Sequence, residues 1–207
     1  MKKLAVLIVT IMNLSLTTPT NAAVLTFDDI SDCPSNINCR IGNYGGLTWN
    51  HGGYLNASTS SLAGSGFDNG TMSGDYVAYN NLFGIEITGS PFDFTGAYLT
   101  AGWRTGMNIE IKGYEGGTLK YSSTVEVDYY TPTWFQLDYE GINMLKIKSN
   151  GGIDAPELNG SGNYFAMDNF TFQESTSTIV PEPISSTLFI VGGATLGFRR
   201  FRNKFKK

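Results

Sequence analysis

The sequence predicts an all-β chain, an antiparallel β-sandwich of the jelly-roll kind, with a targeting segment at each end. Three observations predict it. Many short runs alternate apolar and polar residues with period two, 25 glycines punctuate those runs, and no sustained helical period appears in the middle of the chain.

The early strands are VLTFDDI, GLTWNHGGYL, DYVAYNN and GIEITG; GAYLTAGWR, MNIEIKGY and TLKYSSTVEVD follow, then WFQLDY, MLKIKSN and FAMDNFTFQE. In NIEIKGY, Ile109 and Ile111 share one face while Glu110 and Lys112 share the other. Val125 and Val127 alternate with Glu126 and Asp128 in the next run. One dry face and one wet face is the pattern of antiparallel sheets. Gly116 and Gly117, between two such runs, mark a hairpin. About ten short strands fit two packed sheets, with a closed barrel as the alternative.

Charge narrows the function classes. Lys2 and Lys3 stand at the start, and six basic residues crowd the end, from Arg199 to Lys207. Between Leu4 and Phe198 only six basic residues face 18 acidic ones, a net of −12. An acidic middle excludes nucleic acid as a partner, because phosphate backbones need a positive face.

The two ends read as addresses. Lys2-Lys3, the apolar LAVLIVTIMNLSL and the small residues of TTPTNAA follow the layout of a secretory signal peptide, residues 1–23, cut after Ala22 or Ala23. Export suits the only two cysteines, Cys33 and Cys39, which are expected to form a local disulfide. A zinc site has no basis, since no second cysteine pair exists and His51 is the sole histidine. The working domain is expected over residues 24–174, followed by a Ser/Thr linker at 175–180.

The tail runs Pro181-Glu182-Pro183, an apolar stretch over 184–198, then Arg199-Arg200 and a basic end over 199–207. As a helix the apolar stretch is about 22 Å long, short of a ~30 Å hydrocarbon core. This order resembles the PEP-CTERM sorting signal of exopolysaccharide-producing Gram-negative bacteria. The resemblance implies recognition by an exosortase near Pro181–Pro183, a transient stop in the inner membrane, and release to the cell surface or extracellular matrix. The basic end would stay in the cytoplasm, with the domain across the membrane.

The middle of the chain resembles galactose-binding-like jelly rolls, which include many carbohydrate-binding modules, through LTFDDI, YGGLTW, GYEGG and FAMDNFTF. That resemblance implies a structural calcium held by Asp28, Asp29 and Asp168 where the terminal strands meet. The alternative is that these acids bond turn amides. Sugar binding is read from the aromatic residues, whose rings offer stacking faces; that the sugar is exopolysaccharide is what the PEP-CTERM resemblance implies. Trp103, Tyr129 and Tyr130 are the candidate sugar contacts, whereas Trp49 and Trp134 are expected in the core. If their segment is extended, Tyr129 and Tyr130 point to opposite faces. Catalysis finds little basis: His51 lies in a Gly-rich turn with no Gly-x-Ser-x-Gly and no acid partner near it in sequence. The expected protein is therefore an exported, non-catalytic binder. A matrix protein without a specific ligand and a polysaccharide hydrolase or lyase are the alternatives.

Overall fold

The computed structural model describes residues 22–30, 39–81 and 83–175. Cys33, nearly all of the signal segment, and the linker beyond Ser175 with the whole sorting tail lie outside the described residues. Among those described, no helix is long and apolar enough to cross a membrane.

The strands are β1 Ala23–Leu25, β2 Cys39–Tyr44, β3 Leu47–Asn56, β4 Tyr76–Asn80 and β5 Ile85–Ala101, then β6 Arg104–Glu115, β7 Thr118–Val127, β8 Thr133–Asp154 and β9 Phe165–Glu174. A single helical turn, α1 Gly66–Asn69, interrupts the β3–β4 connection. Every pairing is antiparallel. The expected antiparallel sandwich is present, and its two layers are joined by strands that bend from one into the other.

β3 pairs with β5 through Thr48–Asn50 and with β4 through Gly52–Asn56. β5 lies between β3 and β8 at its start, then between β9 and β8 beyond Phe92. β8 runs along β5 from Thr133 to Ile147 and along β6 from Met144 to Asp154. One hydrogen-bonded ladder therefore threads both layers.

The bends correct the expected strand list. GIEITG and GAYLTAGWR belong to one 17-residue strand, and WFQLDY and MLKIKSN to one of 22 residues. Gly89 and Pro91 have turn chemistry, but here they sit where the β5–β8 register shifts, between Thr88 and Phe92. A proline is tolerated at such a bulge because no ladder bond needs its missing N–H. Asp93 ties this corner together: its carboxylate accepts from Gly141 N at 2.7 Å on β8 and from Gln173 Nε2 at 3.2 Å on β9, and Ser175 Oγ also donates to it. β2 was not foreseen, because CRIGNY holds only one buried apolar residue, Ile41. The hairpin was: Glu115 pairs with Thr118, and Gly116 and Gly117 have φ of 55° and 84°, the left-handed pair that a two-residue turn of this type requires.

Ile109, Ile111, Leu145 and Ile147 fill the core beneath β6 and β8, as their alternation predicts. Phe27, Trp49, Phe94 and Phe170 fill the other half, with Phe94 and Phe170 stacked at 4.7 Å. A smaller cluster of Leu55, Phe67, Val77 and Ala166 lies on the outer face of β3, β4 and β9, under the connection that carries α1. Trp134 departs from expectation. It is only half-buried, lies against Tyr98 at 5.4 Å and bonds Gln136, so it belongs to an outer face and not to the core.

Candidate functional site

A cleft of about 470 Å³ opens on the outer face of β2, β3 and β4. Its floor follows from sequence. Arg40 faces Gly53 across β2–β3, and Gly53 faces Tyr79 across β3–β4, so the three form one row. Gly53 has no side chain to fill the row, and a Cβ there would lie 2.5 Å from the Tyr79 ring. The ring thus rests on the strand backbone and leaves a hollow. Burial and the neighbouring Tyr164 push the Tyr79 phenol up, so it stays a neutral hydroxyl.

Asn43, Thr48, Asn50 and His51 are exposed along the cleft, and Asn81 closes it. Thr48 Oγ1 donates to Asn43 Oδ1 at 3.0 Å, fixing the amide for contacts on its other side. Asn50 and His51 are both exposed although they are neighbours in a strand, where alternation would bury one. His51 breaks the alternation by adopting φ 61°, at the point where β3 leaves β5 and joins β4. A left-handed non-glycine residue is strained, and such strain gathers at functional sites. The cleft lining contains no carboxylate.

The predicted sugar contacts fall elsewhere, near the ends of β5, β7 and β8. Trp103 is half-buried: it meets Phe67 edge-on at 5.4 Å, and Gly160 lies against its ring. It closes the smaller apolar cluster and offers little free face. Tyr129 donates to Glu157, Tyr130 donates to Asp128 at 3.0 Å, and the two rings meet edge-on at 5.2 Å. The segment is bent and not extended, so the rings touch each other in place of pointing apart. Tyr130 alone is largely exposed, at 56%.

Of the three acids proposed for calcium, two serve backbone amides and the third a tyrosine hydroxyl. Asp168 is fully buried, and its Oδ2 accepts from Met72 N at 2.7 Å and Ser73 N at 2.9 Å. Asp28 Oδ1 accepts from Asp75 N at 2.8 Å and Tyr76 N at 3.1 Å. These two hold opposite halves of the 72–76 turn, while Asp29 accepts from the Tyr44 hydroxyl. These bonds give Asp28 and Asp168 the turn-amide role that was the alternative to calcium. Among the described residues no three His, Cys, Asp or Glu side chains are grouped to hold a metal. Asp168 carries a raised pKa because burial disfavours its charge more than the amides favour it.

Sequence reasoning missed the cleft because its residues are spread over three strands. The one available signal was NHGGY, whose glycines mark a close backbone approach.

Fold and cleft together define an antiparallel β-sandwich with a polar, carboxylate-free hollow on one outer face. No family model and no curated protein matches the sequence. Solved structures do align with it. A DUF4465 family protein from Bacteroides caccae aligns with a TM-score of 0.54 at 12% identity, over 75% of this chain and all of its own. A DUF4465 family protein from Bacteroides ovatus scores 0.43 at 8% identity, over 76% of this chain and all of its own. TmCBM61, solved with β-1,4-galactotriose, scores 0.35 at 16% identity, over 67% of this chain and 94% of its own. What the chain shares with the Bacteroides caccae protein is its fold.

Proposed function

We propose that this is an exported, non-catalytic carbohydrate-binding protein that associates with exopolysaccharide through the β2–β3–β4 cleft. One observation carries the reading: a hollow lined by amides, two hydroxyls, an imidazole and a guanidinium, with no carboxylate in its wall. Sugar hydroxyls need donors and acceptors held in place, which Asn43, Asn50 and Asn81 supply. A glycosidase needs a pair of carboxylates across the scissile bond. Glu86 and Glu110, next to the cleft, are each ion-paired with a lysine, Lys146 at 2.9 Å and Lys112 at 2.7 Å. The enzymatic alternative therefore has little to draw on. Delivery in this reading depends on the signal peptide, on an exosortase acting at Pro181–Pro183, and on a Cys33–Cys39 disulfide formed after export.

Affinity electrophoresis of the full-length chain in gels carrying matrix polysaccharides tests the reading. Retardation is expected, and Asn50→Ala should weaken it several-fold, the loss of about one hydrogen bond of 0.5–1.5 kcal/mol. Free migration through every polysaccharide would leave the matrix protein without a specific ligand as the better description.

A further inference from the structure

A second hollow, of about 440 Å³, lies on the outer face of β5, β8 and β6, and His51 lines both hollows. The second is lined by three lysines and two glutamates, a small basic excess in an otherwise acidic domain. Of the six basic residues between Leu4 and Phe198, three line it: Lys112, Lys146 and Lys148. Lys146 lies directly opposite Lys112 across β8–β6, and Lys148 opposite Glu110. Like charges placed face to face on a sheet cost stability. Glu86 and Glu110 relieve that cost for Lys146 and Lys112. Among the described residues, Lys148 has no ion-pair partner, nor has Arg40 in the first cleft.

At the junction stands Phe83, 76% exposed, its ring 5.8 Å from that of His51. An exposed aromatic ring between two polar hollows has no packing role in the core. It does offer a stacking face to the C–H side of a sugar. Two cations without an ion-pair partner among the described residues, in separate hollows with an aromatic step between them, match a chain that alternates sugar rings with carboxylates.

We propose that the groove running from Arg40 past His51 and Phe83 to Lys148 binds an extended anionic polysaccharide of the uronate class. Phe83 and His51 stack on one sugar ring, and Arg40 and Lys148 each take a carboxylate on sugars to either side. This deepens the carbohydrate-binding reading and rests on it. A nucleic acid would also meet the two cations, but its phosphates are far denser and would be repelled by the net −11 of the domain.

The test is affinity electrophoresis of the full-length chain in gels containing polygalacturonate, alginate, neutral galactan, dextran or DNA. Strongest retardation is expected in the polyuronates, falling steeply as salt rises from about 0.05 to 0.5 M. Lys148→Gln should weaken polyuronate binding about tenfold, as loss of one charge-assisted bond does, and Lys148→Arg should preserve it. Phe83→Ala should weaken it as well, with the melting temperature unchanged because the ring is exposed. Equal retardation by neutral polymers overturns the uronate assignment and leaves carbohydrate binding intact. Equal retardation by DNA reveals plain attraction to polyanions and also overturns it. No retardation by any polysaccharide removes the carbohydrate reading, and this inference with it.

Discussion

His51 holds a backbone conformation that favours glycine, at φ 61°, while its ring faces both hollows. Stability and binding should therefore separate there. His51→Gly is expected to leave the melting temperature unchanged or raise it, relieving about 1 kcal/mol of strain. It should still reduce retention on polysaccharide; a purely structural histidine would leave retention alone. Asp168 gives a second test. Its pKa is raised by burial, so the folded state favours the protonated acid. Its share of stability is therefore complete below the ordinary aspartate value of about 4, and declines as pH rises through the elevated one. In urea melts, wild type should lose stability relative to Asp168→Asn over that rise. A gap independent of pH would show no such coupling. These roles differ in how far the sequence displayed them. Ile109 and Ile111 were readable because alternation places them, and Trp49 because it sits between alternating neighbours. Trp134 has similar neighbours, yet it follows a bend that moves it to the outer face. Asp28 and Asp168 were found as a pair near the terminal strands, but the amides they serve lie in a turn some 95 residues from Asp168 along the chain.

Long strands that change layers distinguish this sandwich from two separate sheets. The corner where β5 and β8 bend is held by Asp93. Burial opposes its charge, but hydrogen bonds from Ser175, Gly141 and Gln173 outweigh burial and hold its carboxyl below the usual aspartate value. The sign is opposite to that of Asp168. Stability from Asp93 is present above about pH 4 and is lost as pH falls through its depressed value. Asp93→Ala should destabilise the protein by about 1–3 kcal/mol at neutral pH, mainly by orphaning the Gly141 amide. That penalty should shrink on acidification, as chemical denaturation at several pH values would show. A penalty that grew toward low pH would place the corner's stability elsewhere. Strand identity was legible wherever alternation ran unbroken, as in β6 and β7. It failed at Gly89-Ser90-Pro91, since turn chemistry and bulge chemistry use the same residues. β2 escaped notice because a strand contributing a single core residue carries no period.

For the whole chain, the ends carry a prediction that the described residues do not touch. Mass spectrometry of the exported protein should find an N-terminus at Ala23 or Val24 and a C-terminus near Pro181–Pro183. An intact tail on surface-exposed protein would remove the processing step. Cys33 and Cys39 should appear as one cross-linked peptide, reducible by dithiothreitol. The strand layout gives this processing a direction. Ala23 at the start of β1 pairs with Phe172, close to Glu174 at the end of β9, so both ends of the domain meet at one pole. β9 then runs ten residues back to Phe165, about 30 Å away, and its neighbour Ala166 lies level with Tyr79 in the cleft row. Tyr79 of the cleft row therefore lies toward the end of β9 that is away from the domain's own termini. A cut at Ala23 and a cut just beyond Glu174 would fall side by side at that one pole, so shortening either terminus costs the Tyr79 row none of its strand pairing.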